Sequence, residues 1–119
     1  MILLAEDNDT SRRGLAQLLA TERYQVIQAS DGEQALGRLA EGHPITLVIT
    51  DLAMPKLTGF GLLTRMRQKW PEIPLILITG YLSPQVANVI LNNNVKFLPK
   101  PLDFKNLLNA VEQFTAPNG

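Results

Sequence analysis

Five residues with reactive or ionic side chains each stand at the end of a short apolar run of the sequence. They are Glu6, Asp7, Asp51, Thr79 and Lys100. Carboxylates within a few ångström of one another repel strongly at low dielectric, so such a group must take up protons or bind a cation. Carboxylates with backbone carbonyls suit Mg²⁺, and a lysine and a threonine can hold phosphoryl oxygens. The set therefore predicts phosphoryl transfer to a carboxylate nucleophile.

Apolar runs bounded by turn residues are the elements that must position these side chains. Such runs, rich in β-branched and aliphatic residues, are typical of buried strands. Helical patterns follow each run, so strands and helices alternate five times, which predicts a parallel sheet covered on both faces. The predicted strands are residues 2–5, 24–29, 45–50, 75–79 and 95–99.

The predicted helices are defined by their caps and by their apolar spacing. The first is capped by Thr10 or Ser11, and the second by a capping box over Ser30–Glu33. The third carries Leu62, Leu63 and Met66, the fourth runs from Ser83 to about Leu91, and the fifth from about Asp103 to Phe114.

The predicted fold class is α/β, a flavodoxin-like doubly wound (βα)5 domain with a five-stranded parallel sheet of order 2-1-3-4-5. In that order the switch point lies between strands one and three, and ligands bind at the carboxyl ends of the strands. The three acids would therefore meet in one crevice, with Thr79 and Lys100 along its other side.

Length and composition exclude several classes of function. The 119 residues suit one domain, predicted as residues 1–116 with a tail or linker remnant at 117–119. The absence of cysteine excludes disulfides, zinc–thiolate sites and thiol catalysis. Lys plus Arg and Asp plus Glu are equal at 11 each, so the charge does not favour direct binding to nucleic acid or to a membrane. With no membrane span or signal peptide in the sequence, we expect a cytoplasmic protein.

Together the motifs resemble a response-regulator receiver domain of two-component signal transduction, and the resemblance covers nearly the whole chain. It is carried by the acid pair after the first strand, the segment Thr50–Pro55, Gly59 at the start of the third helix, and the pairs Thr79-Gly80 and Lys100-Pro101. The resemblance implies that Asp51 accepts a phosphoryl group within a phosphorelay. The donor would be a phosphohistidine of a histidine kinase or of a histidine phosphotransfer protein.

The resemblance also implies a Mg²⁺ cofactor and a role for each site residue. Asp7 and Asp51 would bind the ion directly, Glu6 through water, and Ala53 through its backbone carbonyl. Thr79 and Lys100 would hold phosphoryl oxygens. In the family the bond corresponding to Lys100–Pro101 is cis.

The switch and its output are further implications of the resemblance. Phosphorylation would draw Thr79 inward, and Phe97, which lacks the hydroxyl of the more frequent tyrosine, would follow by packing alone. The surface of the fourth helix, fifth strand and fifth helix would then change, for an output domain, a downstream protein or a phosphorylation-dependent homodimer. Apolar residues cover more of the fourth helix than one core-facing stripe needs, which favours a partner surface. The protein would not be a turnover enzyme but would catalyse its own aspartyl phosphorylation and dephosphorylation.

Three alternatives compete with this interpretation. A phosphatase of the haloacid-dehalogenase type needs a second aspartate two residues after the nucleophile, where this chain has Ala53. A flavodoxin-like cofactor module needs a loop rich in Gly, Ser or Thr after the first strand, whereas the acids of residues 6–9 would repel a phosphate. A degenerate receiver that acts only as a protein-interaction module is disfavoured, because every expected site position is filled.

Overall fold

The structure, a computed structural model, describes residues 1–80, 84 and 94–115, which form five strands and four helices. The predicted fourth helix and the tail at 117–119 lie outside the described residues, apart from residue 84. The elements are β1 (Ile2–Ala5), α1 (Asp9–Thr21), β2 (Val26–Ala29), α2 (Gly32–Ala40), β3 (Leu47–Asp51), α3 (Gly59–Lys69), β4 (Leu75–Thr79), β5 (Val95–Pro99) and a C-terminal helix (Phe104–Thr115).

All five strands are parallel and lie in the order β2-β1-β3-β4-β5, which confirms the predicted fold class and strand order. Ala5 pairs with Thr50, so β1 and β3 end side by side. Thr79 pairs with Pro99, so β4 and β5 also end together. Because the strands run in one direction, their carboxyl ends form a single edge of the sheet.

Two hydrophobic layers hold the sheet, one on each face. On one face Leu3 and Val48 of the strands pack with Leu63 of α3. On the other face Leu4 packs with Leu19 of α1 and with the C-terminal helix. The strands β1, β3 and β4 are buried at every residue, as expected for parallel strands covered on both faces. None of the helices in the described ranges is long and apolar enough to cross a membrane.

The first two helices begin at caps other than the predicted ones. The N-cap of α1 is Asn8, whose Oδ1 accepts the Ser11 N–H at 2.8 Å, so the prediction of Thr10 or Ser11 was wrong. The N-cap of α2 is Asp31, whose Oδ1 accepts the Gln34 N–H at 2.7 Å. The predicted box was therefore one residue early, because Asp31 competes with the neighbouring serine for the same role.

The start of α3 lies directly against the end of β3. The Gly59 N–H donates to the Leu52 carbonyl at 2.9 Å. A Cβ at Gly59 would lie 2.4 Å from the backbone oxygen of Asp51, closer than any real contact of this kind. Only glycine permits this approach, so the beginning of α3 and the backbone of Asp51 are fixed relative to each other.

The contact at Gly59 predicts that Gly59→Ala lowers the free energy of unfolding by about 1–3 kcal/mol, because the added methyl group overpacks a site bounded by backbone. Urea denaturation monitored by circular dichroism measures the change. Gly14→Ala is the matched control, since Gly14 lies inside α1 and a Cβ there meets no atom within 4 Å. We expect the control to raise the free energy of unfolding by about 0.5–1 kcal/mol. Changes of the same sign in both variants would contradict the packing argument.

Candidate functional site

Three acidic side chains meet at the carboxyl edge of the sheet. Glu6 and Asp7 follow β1, and Asp51 ends the neighbouring strand β3. One carboxylate oxygen from each of the three lies within 4.8 Å of the others. Their burial differs: Asp7 is exposed, Glu6 is half-buried, and Asp51 is only 4% exposed. The structure thus brings together the three acids that the sequence placed at adjacent strand ends.

Both carboxylate oxygens of Asp51 accept hydrogen bonds. Oδ1 accepts the Ala53 N–H at 3.0 Å. Oδ2 accepts from Lys100 Nζ at 2.5 Å, an ion pair between a buried acid and a lysine whose side chain is 46% exposed. The hydrogen bond that Lys100 donates to Asp51, and the negative charges of Asp51, Glu6 and Asp7, raise the pKa of Lys100 against the opposing effect of burial. The ammonium group therefore stays charged beside the buried acid.

The electrostatics of the acid cluster are clearest at Glu6. The pKa of Glu6 is raised from 4.5 to about 7, chiefly by burial and then by the hydrogen bond with Asp51 and the negative charge of Asp51. The Asn8 N–H, which donates to Glu6 Oε1 at 3.2 Å, and the charge of Lys100 act in the opposite direction. One lysine does not offset three carboxylates. Because the donors are all hard oxygens and carry excess negative charge, the set fits Mg²⁺.

Thr79 and Lys100 follow the next two strands along the same edge. Thr79 ends β4 and is buried, and its backbone carbonyl accepts the Lys100 N–H at 3.0 Å. Since β4 lies between β3 and β5, the threonine and the lysine both lie on one side of the strand end that carries Asp51, and the acids after β1 lie on the other. The Lys100–Pro101 peptide bond is cis. These positions match the second side of the predicted crevice.

Two predicted roles stay predictions at this point. Ala53 contacts Asp51 through its N–H, and its carbonyl as a metal ligand remains an expectation. Phe97 lies at the middle of β5, opposite Leu77, and is half-buried. Its alternation with Lys96 and Leu98 places it on the same face of the sheet as Val95, which packs on the layer containing α2 and α3. Its movement with Thr79 is likewise an expectation.

Two interactions around the acids were not predicted from the sequence. The guanidinium of Arg12 donates to the Glu6 carbonyl and to Gln28 of β2. Lys56, in the loop after Asp51, forms an ion pair of 3.6 Å with Asp31, the cap of α2. The only local signals were a basic residue one turn into α1 and a charged residue in a loop. Neither signal reveals its partner, which comes from another part of the chain.

A cavity of about 440 Å³ opens beside Lys100, between α1 and the segment that leads into the C-terminal helix. Its walls are largely apolar, and Leu18 is 47% exposed there. Glu6 and Lys100 form the end of the cavity nearest the acid cluster. The remaining lining residues are Ser11, Leu15, Ile78, Pro101, Leu102 and Phe104.

Comparison with known proteins gives matches over almost the whole chain. The sequence model described as "Response regulator receiver domain" matches residues 2–112. The response regulator receiver protein CpdR of Brucella abortus is 35% identical over 118 residues, covering 94% of this chain and 93% of that protein. The sensor kinase CckA of the same organism is 34% identical over 114 residues, and the match covers 94% of this chain but only 12% of that protein.

Solved structures agree with these sequence matches. The receiver domain from the hybrid histidine kinase CckA has a TM-score of 0.79 at 37% identity, covering 94% of this chain and 95% of that chain. A response regulator receiver protein from Pseudomonas putida has a TM-score of 0.87 at 28% identity, covering 94% of each chain.

The raised pKa of Glu6 predicts that the stability of the fold depends on pH in cation-free buffer. The folded state keeps a proton that an unfolded glutamate releases near pH 4.5, so the stability contributed by this group is lost as the pH rises from about 4.5 through about 7. Asp51→Asn removes the negative neighbour, and we expect the pKa of Glu6 to fall below that of the wild type but to stay above 4.5 because burial persists. Carbon NMR of the Glu6 carboxyl measures both values.

The internal control for this titration is Glu41, the residue that caps the C-terminal end of α2. Its pKa is lowered, chiefly by a hydrogen bond with His43, and we expect it to be unchanged by Asp51→Asn. A wild-type Glu6 that titrates near 4.5 would show that the acid cluster is more solvated than its geometry indicates.

Proposed function

The chain belongs to the response regulator receiver domain family, and from that premise we propose that it is a phosphoacceptor switch in a two-component phosphorelay. The observation that carries the proposal is the buried carboxylate of Asp51, held between Lys100 and the acids after β1. The donor would be a phosphohistidine of a histidine kinase or a histidine phosphotransfer protein. A sensor kinase and a receiver protein among its relatives support this pairing.

The proposed reaction is transfer of a phosphoryl group to Asp51. A carboxylate oxygen forms the new O–P bond, the N–P bond of the donor breaks, and the imidazole nitrogen keeps the bonding electrons and takes up a proton. Lys100 leaves Asp51 for a phosphoryl oxygen, which it holds as a positive point charge. Thr79 donates its hydroxyl to another phosphoryl oxygen. When bound, Mg²⁺ would neutralise charge on the transferring group.

The residues proposed to hold Mg²⁺ are the side chains of Asp7 and Asp51, Glu6 through water, and the carbonyl of Ala53. Their support is the all-oxygen cluster and its excess of negative charge. The protein acts on its own side chain and is reset by hydrolysis of the acyl phosphate, so it is not a turnover enzyme. A receiver unit over residues 1–116 and a cytoplasmic location, where the phosphodonor is made, are parts of the same proposal.

The alternative activities are not favoured. A dehalogenase-type phosphatase would need a carboxylate at Ala53, and this residue instead gives its N–H to the nucleophile. A receiver that has lost phosphorylation would be expected to have lost at least one of the acids, the threonine or the lysine. All of them are retained at the edge of the sheet.

The proposed output passes through Thr79 and Phe97. Thr79 ends β4, and Phe97 lies in the neighbouring strand β5, so an inward movement of the threonine can be followed by the aromatic ring. The surface of the predicted fourth helix, β5 and the C-terminal helix would then change. An output domain, a downstream protein or a second phosphorylated copy would bind there.

The apolar cavity beside Lys100 supports docking of the phosphodonor. It opens at the acid cluster and carries a large exposed leucine on α1, so a helix of the donor could bury apolar side chains while its phosphohistidine reaches Asp51. We therefore assign the face formed by α1 and the start of the C-terminal helix to the donor.

Intact mass spectrometry tests the acceptor. After incubation with Mg²⁺ and acetyl phosphate, we expect the wild type to gain the mass of one phosphoryl group and Asp51→Asn to gain none. Asp103→Asn, a change at a carboxylate that caps the C-terminal helix, is the matched control and is expected to be phosphorylated. Failure of the wild type to gain mass would favour the degenerate receiver.

Phosphotransfer kinetics test the donor surface. With a phosphorylated histidine protein that serves the wild type, Leu18→Lys is expected to slow transfer about tenfold, since it places a charge in an apolar contact. Phosphorylation by acetyl phosphate should be unchanged. Gln17→Lys adds the same charge at the neighbouring exposed position of α1, outside the cavity, and should leave both rates unchanged. If the histidine protein transfers to both variants at the same rate, the face formed by α1 and the start of the C-terminal helix is not the donor surface.

A further inference from the structure

We propose that Arg12 is a positioning residue that holds the turn carrying Glu6 and Asp7, so that both carboxylates stay directed at Asp51. The inference deepens the proposed function and rests on it, since it concerns how the cation site is kept together. Arg12 is not a ligand in that proposal, because its contact within the site is with a backbone carbonyl. It would act through the acids and not on the phosphoryl group.

The guanidinium of Arg12 joins three parts of the chain. Nη1 donates to the Glu6 carbonyl at 3.1 Å, just beyond the end of β1. Nε donates to Gln28 Oε1 at 3.1 Å, on β2. Nη2 forms an ion pair with Asp9 at the start of α1, and the Arg12 side chain is only 11% exposed. The planar guanidinium group can donate to three acceptors at once, whereas the single ammonium group of a lysine cannot keep this geometry.

The turn that Arg12 contacts is short and carries like charges. The last sheet bond of β1 is the Glu6 N–H donating to the Ala29 carbonyl at 3.0 Å, and α1 is already capped by Asn8. Asp7 lies between these two fixed points and is exposed. The peptide group that links Glu6 to Asp7 is planar, so a donor on the Glu6 carbonyl restrains the orientation of the whole group. It thereby restrains the backbone from which the Asp7 side chain extends.

Repulsion is the reason that this turn needs to be held. The carboxylates of Glu6 and Asp7 lie beside that of Asp51, and the pKa of Glu6 is raised in part by that neighbour. Without a restraint, the exposed turn would relax by moving its acids away from the buried one. Arg12 opposes that movement by bonding to the main chain and leaves the carboxylate oxygens available to a cation. Groups that orient metal ligands in this way typically change metal affinity about 10- to 100-fold when removed.

A purely structural role for Arg12 makes a different prediction. If the guanidinium only ties α1 to β2, its loss lowers the melting temperature and leaves the affinity of the folded protein for a cation unchanged. If it positions the acids, affinity falls even well below the melting temperature. Arg13 separates the two effects, because it also pairs with Asp9, at 3.2 Å, but is 72% exposed. No contact of Arg13 with Glu6 or Gln28 is found among the described residues.

The experiment measures Mg²⁺ affinity by isothermal titration calorimetry, at a temperature where every variant is folded, and the melting temperature in EDTA. We expect Arg12→Lys to raise the dissociation constant about tenfold or more. Gln28→Ala removes one acceptor of the Arg12 guanidinium at a residue that contacts no acid among the described residues. It should raise the dissociation constant about threefold, a smaller part of the same effect. Arg13→Lys should match the wild type in affinity.

Each result decides the question. A lower melting temperature for Arg12→Lys with the affinity of the wild type would overturn the inference, and so would equal losses of affinity in the Arg12 and Arg13 variants. If Arg12→Lys does not fold, Gln28→Ala carries the test, and an unchanged affinity in that variant overturns the proposal. Absence of Mg²⁺ binding by the wild type would overturn the cation site of the proposed function, and this inference with it. Binding by the wild type with no change in Arg12→Lys would overturn the inference alone.

Discussion

Repulsion among Glu6, Asp7 and Asp51 is the constraint on which the carboxyl edge of this sheet depends. Two neighbouring strands, buried at every residue, place the three acids together and cannot slide apart without exposing the core. The Ala53 N–H and the Lys100 ammonium then hold the buried member from two sides. The arrangement concentrates negative charge at a defined position, which suits a hard cation.

Much of the fold could be predicted because the strands are continuous apolar runs between turn residues. The limits of β1, β4 and β5 agree with the sequence, and the predicted strand order is one of the common orders of doubly wound sheets. The caps of α1 and α2 could not be fixed in this way. Several neighbouring polar residues can each cap a helix, and the choice between Asn8 and Ser11, or Ser30 and Asp31, depends on where the preceding strand ends.

The members of the candidate site could also be predicted, but not the differences between them. The sequence does not show how deeply each of the three acids is buried, whereas in the fold one is buried, one half-buried and one exposed. The partial burial of Glu6 raises its pKa, and burial depends on which loops cover each strand end. The contact of Arg12 with Gln28 was missed for a related reason, because the two residues are 16 positions apart and meet only through the pairing of β1 with β2.

The close approach of Gly59 to the Asp51 carbonyl has a consequence for engineering sensors from this domain. The loop between them has both ends anchored, one in a strand buried on both faces and one in the first turn of a helix that tolerates no side chain at that point. A reporter inserted into this loop would have both of its ends held by these anchors, next to Asp51. The turn between α1 and β2 lies at the opposite edge of the sheet and is exposed at residues 21–23, so a fluorescent module is better inserted there.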